Sequence, residues 1–236
     1  MIVSLDVNYH SQLLFLPVRR GDGSLLGVEL LDNFISDNAT VRIPADFVLS
    51  RISREQQLIL FYEKISLLEK NRDFFIQRNA VAWVNINAHI ARAILTGVAL
   101  RKRVSDLPFL EFGINEDYPG LNAGKANPEL TALQQVHPLL LGNYGSGGAT
   151  SRAVYDGLYR RVRLDKYFIN RQLSPSTFEP FITAIIKQIS PCCETLILPG
   201  VDNEIARRHA VALGTGALQG SLWPPVMESA LDTLGE

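Results

Sequence analysis

The sequence has little of what would tie it to a membrane, an oxidising compartment or a polyanion. Only two of its 236 residues are cysteines, and they are neighbours, Cys192 and Cys193. A bridge between adjacent residues is strained and rare, so no disulfide framework is expected and a reducing compartment fits. Neither cysteine has the spaced partners of a zinc site. Long apolar runs are also missing. The opening MIVSLDVNYHSQLLFLPV has no basic start, and its run LLFLPV is too short to export or anchor a chain. The expectation is a soluble, cytoplasmic protein. Excess charge of either sign is lacking, because 23 Lys and Arg nearly balance 24 Asp and Glu for a formal net charge of -1. Nothing draws the chain as a whole to nucleic acid or to an anionic membrane. The cluster Arg101, Lys102 and Arg103 reads as the last turn of a helix, where positive charge suits the dipole.

What is present is an ordinary globular composition, 47% hydrophobic and 20% charged, in a chain long enough for one barrel-sized core. Short β-rich runs recur: QLLFLPV (12–18), LLGVELL (25–31), VAWVNIN (81–87), FLEFGI (109–114), LLLGNY (139–144), RVRLD (161–165), ETLIL (194–198) and GALQG (216–220). Helical segments lie between most of them. Ser53 with Gln56 forms a capping-box signature opening a helix to Leu68, with an apolar face of Leu58, Phe61, Ile65 and Leu68. Asn87 and Asn127-Pro128 open two more. Ser176 or Thr177 is expected to cap the helix carrying Phe181, Ile185 and Ile189, and Asp202 one running to Leu213 and ending at Gly214. Strand–helix alternation of this kind predicts a mostly parallel, closed α/β barrel. The first two strands break the alternation, since RRGDGS (19–24) between them carries an Asp-Gly hairpin signal. With no internal repeat or linker, residues 1–236 read as a single domain.

Strand parity sorts the side chains. In RVRLD, Val162 and Leu164 face the helices, which leaves Arg163 and Asp165 inside the barrel, and the same alternation sends Glu29, Asn85, Glu111 and Gln219 inward. Polar residues at the C-terminal mouths of barrel strands are where such folds place chemistry. Such residues also serve simply to hydrogen-bond one another, and parity alone does not separate the two uses.

In order along the chain, LLGVELL with Glu29, VAWVNIN with Asn85, LEFGINE (110–116), GNYGSG (142–147), VRLDKYFI (162–169), PGVDN (199–203) and Gln219-Gly220 resemble the strand-end motifs of the EAL-domain family of cyclic di-GMP phosphodiesterases. The resemblance implies a TIM-like (βα)8 barrel of EAL type with an antiparallel first strand. It also implies a site where family enzymes hold two divalent cations. Hard cations of this kind need several carboxylates, and carried over position by position most of them are gone. Glu29 and Asn85 remain. Gly113 stands at a metal-binding glutamate, Gly142 and Asn143 at an aspartate pair, Pro199 at a further glutamate, Asn33 at a phosphate-binding arginine, and Arg163 at the lysine that assists catalysis. LLLGNYGSGGAT (139–150) is thus expected to be an emptied metal loop; as a phosphate cradle it lacks the Gly-Lys-Ser/Thr continuation of a P-loop. The expected residue set is a vestigial pocket of Glu29, Asn85, Arg163, Asp165 and Gln219, with no catalytic residue, metal or cofactor. Within it Arg163 is expected to replace the missing cations by pairing with Glu29, Asp165 or both.

FFIQ (74–77), NEDYPGLNAGK (115–125), LDKYFI (164–169), FEPF (178–181) and ALQGSLWPPV (217–226) further resemble a degenerate branch of that family. The branch implies a non-enzymatic role: binding the FlhD subunit of the flagellar master regulator FlhDC, keeping it from its promoters and exposing it to proteolysis. A monomer is expected, with no direct contact to nucleic acid or membrane. A non-hydrolysing cyclic di-GMP receptor and a residual phosphodiesterase are the competing readings. No partner-contact residues follow from the sequence: Trp223-Pro224-Pro225-Val226 fits core packing as well as a binding surface.

Overall fold

The computed structural model describes residues 1–4, 8–36, 42–43, 45–149, 151–167 and 175–235. The strands are β1 (Ile2–Ser4), β2 (Asn8–Arg19), β3 (Leu25–Ser36), β4 (Arg42–Ile43), β5 (Val81–Asn85), β6 (Leu110–Asn115), β7 (Leu139–Tyr144), β8 (Arg161–Leu164), β9 (Thr195–Leu198) and β10 (Ala217–Leu218). Eight of them close a ring in the order β2, β3, β5, β6, β7, β8, β9, β10 and back to β2. β2 runs antiparallel to both its neighbours, and every other pair in the ring is parallel. The hairpin expected at RRGDGS therefore forms, with Asp22 accepting from the backbone N–H and hydroxyl of Ser24 at the turn. β2 and β3 reach beyond the ring. β1 pairs with β2 and β4 with β3 outside it, two short strands that the sequence pattern did not signal.

Around the ring lie α1 (Ala45–Leu49), α2 (Arg54–Lys70), α3 (Arg72–Gln77), α4 (Ala88–Thr96), α5 (Val98–Ser105), α6 (Pro128–Gln134), α7 (Ser151–Tyr155), α8 (Pro175–Ile189) and α9 (Glu204–Ala212). The capping box opens α2 with both bonds formed: the Gln56 N–H donates to Ser53 Oγ, and the Ser53 N–H to Gln56 Oε1. Asn87 caps α4 and Asn127 caps α6, with Pro128 in the first turn where its missing N–H does no harm. Lys102 and Arg103 occupy the last turn of α5 and pair with Asp106 and Glu69. Two expected caps are corrected. α8 begins at Pro175, so Ser176 and Thr177 are already inside its first turn. Asn203, not Asp202, caps α9 by accepting from the Ala206 N–H; Asp202 instead accepts from Ser221. On α2 the buried stripe holds Leu60 and Lys64 beside Phe61, Ile65 and Leu68, while Leu58 is only half-buried.

The core has two layers. Between strands and helices, residues such as Val28, Leu30, Phe75, Phe112 and Val162 form one continuous apolar shell. Inside the ring, Val18, Leu26, Trp83, Leu140, Ile197 and Ala217 fill the lower half. Glu111 lies in that plug, accepting from Trp83 Nε1 at 2.7 Å and from Arg161 Nε at 2.9 Å. With the lower half packed, the polar residues one layer up sit on a solid floor. Trp223 is half-buried against the outer shell, and Val226 exchanges both backbone hydrogen bonds with Phe15.

Candidate functional site: the polar layer at the barrel mouth

Four strands supply the polar residues of the mouth, two of those residues lying at or just past β8. Glu29 comes from β3, Asn85 from β5, Arg163 from β8, Asp165 follows β8 and Gln219 follows β10. The structure brings Glu29, Asn85, Arg163 and Gln219 into one hydrogen-bonded group. Asn85 Nδ2 donates to Glu29 Oε1 at 2.8 Å, Gln219 Nε2 to Glu29 Oε2 at 3.0 Å, and Arg163 Nη1 to the same Oε2. Arg163 Nη1 also reaches Gln219 Oε1 at 3.4 Å. Glu29 is 4% exposed and Arg163 9%. A carboxylate this deep is unfavourable alone. Burial lifts the Glu29 carboxyl, but the Arg163 guanidinium, with the bonds from Asn85 and Gln219, outweighs it and holds the group below the ordinary carboxylate range. Asp165 is buried too, its backbone N–H donating to the Tyr144 carbonyl at 2.8 Å.

Gly113 and Gly142 leave the room in which this group closes. A Cβ on Gly113 would run into Asn85 Oδ1, and one on Gly142 would stand 2.8 Å from Asn115 Oδ1 and 3.3 Å from Arg163 Nη2. The Asn85 amide and the guanidinium thus occupy room that larger residues would need. Gly142 and Asn143 also form an irregularity in the β7–β8 register, and Asn143 adopts a left-handed φ of 56°. Asparagine tolerates that conformation better than most residues.

The loop after β7 supplies a second finding. The N–H groups of Gly145, Gly147 and Gly148 and the hydroxyl of Ser146 all donate to the Glu116 carboxylate, at 2.6–2.8 Å. Gly145 and Gly147 take φ of 104° and 114° so that their amides converge. The glycine-rich loop is a nest for an anion, and the anion is a side chain of the same protein. Glu116 closes the run LEFGINE, but sequence reasoning gave it no role; the signal was an acidic residue just past a strand end facing a loop rich in glycine.

A further pair was missed. Lys64 of α2 and Asp32 of β3 form a buried ion pair at 2.7 Å, their side chains 8% and 7% exposed. Both left a trace in the pattern. Lys64 interrupts the apolar stripe of its helix, and Asp32 shares the helix-facing parity of Leu30.

The donor set does not fit a pair of divalent cations. Among the described residues no group of three or more His, Cys, Asp or Glu is placed to hold a metal ion. Glu29, at the centre of the hydrogen-bonded group, already carries a guanidinium. A site for two hard cations needs several carboxylate oxygens free to bind them, so no step through a metal follows from this arrangement. Among the described residues, no helix is long and apolar enough to cross a membrane.

Comparison with known proteins places these features. No protein-family model matches the chain. It is 46% identical over 231 residues to the anti-FlhC(2)FlhD(4) factor YdiV of Salmonella arizonae, covering 98% of both proteins. The crystal structure of the EAL-like domain protein YdiV superposes with a TM-score of 0.87 at 44% identity, covering 97% of each chain. The PaMucR phosphodiesterase in its c-di-GMP complex shares the fold, with a TM-score of 0.69 and 19% identity over 94% of each chain.

Proposed function

The chain belongs to the YdiV family of EAL-like anti-FlhC(2)FlhD(4) factors, and from that premise we propose that it inhibits FlhDC by binding the FlhD subunit, as a monomer and without cleaving cyclic di-GMP. Bound in this way, the regulator is kept from flagellar promoters and motility falls. The observation that carries the reading is kinship along the whole chain, 98% of both proteins at 46% identity. The geometry of the mouth supports the non-catalytic part. Arg163 holds the Glu29 carboxylate that a metal would need, and a guanidinium does not give up a proton near neutral pH, so it does not replace a lysine in proton transfer. Glu29, Asn85, Arg163, Asp165 and Gln219 are then a vestigial pocket that stabilises the barrel.

The test is co-purification of the chain with FlhC and FlhD, then with FlhD alone, with light scattering for stoichiometry and a promoter-DNA shift for inhibition. The expected result is a stable complex with one copy of this chain per FlhD site, formed with FlhD alone and unable to shift DNA. Absence of a complex with either preparation overturns the proposal. Calorimetry with cyclic di-GMP, with and without magnesium or manganese, is expected to show no binding. Metal-dependent turnover abolished by Glu29→Ala overturns the non-catalytic part.

A further inference from the structure

We propose that the floor of the barrel, at the end opposite the Glu29 group, carries a binding site for a phosphoryl group. A cavity of about 380 Å³ opens there among the N-terminal ends of β3, β5, β6 and β8, and Arg20, Arg160 and Arg161 all line it. That volume lies at the small end of ordinary ligand sites. Two parts of the chain supply the guanidinium groups. Arg20 follows β2, whose antiparallel course brings its last residues to this end, and Arg160 and Arg161 sit at the start of β8.

Unused donors meet at this cavity. Arg20 Nη1 donates to the Leu25 carbonyl at 2.9 Å and lies 3.4 Å from Ser24 Oγ, while its Nε and Nη2 make no hydrogen bond among the described residues. Arg160 donates through Nε to Glu194 at 2.7 Å and holds Nη1 3.9 Å from Glu111, which leaves Nη2 free. Arg161 donates through Nε to Glu111 at 2.9 Å and through Nη1 to Thr195 Oγ1 at 2.7 Å, and its Nη2 is unbonded. No nitrogen of Arg20 or Arg161 is among the side-chain atoms sealed from water without a partner, so the unbonded ones are open to a ligand. The Arg160 side chain is 43% exposed.

The charges are uneven as well. Three guanidinium groups meet two carboxylates, Glu111 and Glu194, both already held. Asp22, in the hairpin beside Arg20, accepts from the N–H and hydroxyl of Ser24. A positive excess in a concave recess favours an anion. Unbonded N–H groups arriving from three side chains suit a tetrahedral oxyanion, which accepts from several directions; a carboxylate accepts mainly near its own plane. Ile76, Pro108 and Phe109 on the same wall cover the organic part of a phosphomonoester. The site is far from the mouth, and its test does not depend on the regulator reading.

The experiment titrates isotopically labelled full-length protein with inorganic phosphate, phenyl phosphate and benzoate, each against sodium chloride of equal ionic strength. Backbone amides and arginine Nε–H signals are followed. Both phosphates are expected to saturate, to shift Asn79, Leu110 and Arg161 together with the Arg20 Nε–H, and to bind at least tenfold more tightly than benzoate. Tighter binding of phenyl phosphate assigns an organic phosphomonoester and equal binding assigns the free ion; either supports the proposal. Arg20→Met removes a guanidinium that pairs with no carboxylate among the described residues, so binding is expected to fall at least tenfold with the melting temperature held. Arg160→Gln, at an exposed position, reads the same loss if that variant fails to fold. Failure of both phosphates to saturate, shifts reproduced by sodium chloride, benzoate binding as tightly as phosphate, or undiminished binding in a folded variant overturns the proposal.

Discussion

Replacing Arg163 by Met removes the guanidinium and leaves its methylene volume, so the perturbation isolates charge. In the parent, Glu29 is 4% exposed and receives bonds from Arg163, Asn85 and Gln219. Breaking one partner of a buried ion pair typically removes about 3–5 kcal/mol. The amides of Asn85 and Gln219 stay in place, so the lower part of that range applies, about 3 kcal/mol at pH 7. That is a large share of the roughly 5–15 kcal/mol by which domains are stable. The sign of the pH dependence follows from the direction of the Glu29 shift. In the parent its folded value is depressed, so its contribution is present above the unfolded carboxylate range and lost as pH falls through the folded value. In Arg163→Met burial acts unopposed and the folded value rises above the unfolded one. The variant then recovers about 1.4 kcal/mol relative to parent for each pH unit below its raised value. Urea unfolding of both proteins at pH 7.5 and pH 5, followed by tryptophan fluorescence, measures the difference at each pH. It is expected to narrow at the lower pH, and Glu29→Leu/Arg163→Met is expected to regain most of the loss at pH 7.5. A deficit below about 1 kcal/mol, the scale of an exposed pair, or one equal at both pH values, would show that water rather than Arg163 solvates Glu29.

Gly113→Ala forces Asn85 Oδ1 aside; a loss of about 1–3 kcal/mol is expected from overpacking, with the Asn85 side-chain amide resonances displaced in the NMR spectrum. Glu116→Gln removes the charge gathered by the loop; hydrogen exchange at Gly145, Gly147 and Gly148 is expected to quicken while strand amides keep their protection. His137 is buried with Nε2 2.6 Å from the Val104 carbonyl, and burial pushes its imidazole below the usual value. The stability it contributes is therefore present above the unfolded value of about 6.5 and declines as pH falls through it, a dependence that His137→Gln is expected to abolish in urea unfolding between pH 7.5 and 5.

The barrel was legible because its signals are local and repeated. Capping residues such as Ser53, Asn87 and Asn127 start helices by chemistry that acts within one turn, and the Asp-Gly after β2 specifies a hairpin in the same way. The inward set of Glu29, Asn85, Arg163 and Gln219 followed from the two-residue period of strands alone. What stayed hidden depends on partners distant in sequence. Glu116 finds its donors 29–32 residues away, and Asp32 finds Lys64 on a helix 32 residues on. Periodicity states that a residue is buried and not which partner makes that burial tolerable. The cap of α9 was misplaced for a related reason. Asp202 and Asn203 both have capping side chains, and the choice between them was made by Ser221, 19 residues ahead, which takes Asp202 for itself.

The same limit explains why counting missing ligands is not enough to describe this mouth. Without a positive partner Glu29 would be a buried, uncompensated carboxylate, which destabilises a barrel. Arg163 makes that burial tolerable, and the glycines make Arg163 tolerable, since side chains at 113 and 142 would crowd Asn85 and the guanidinium. Glu29, Gly113, Gly142 and Arg163 therefore form one coupled set. Placing Asp or Glu at Gly142 or Gly113 singly gives a more crowded ion-pair site, not a metal site. Cation binding at this mouth would require Arg163 to be removed at the same time, because a fixed positive charge bonded to Glu29 competes directly with any metal for the same oxygen.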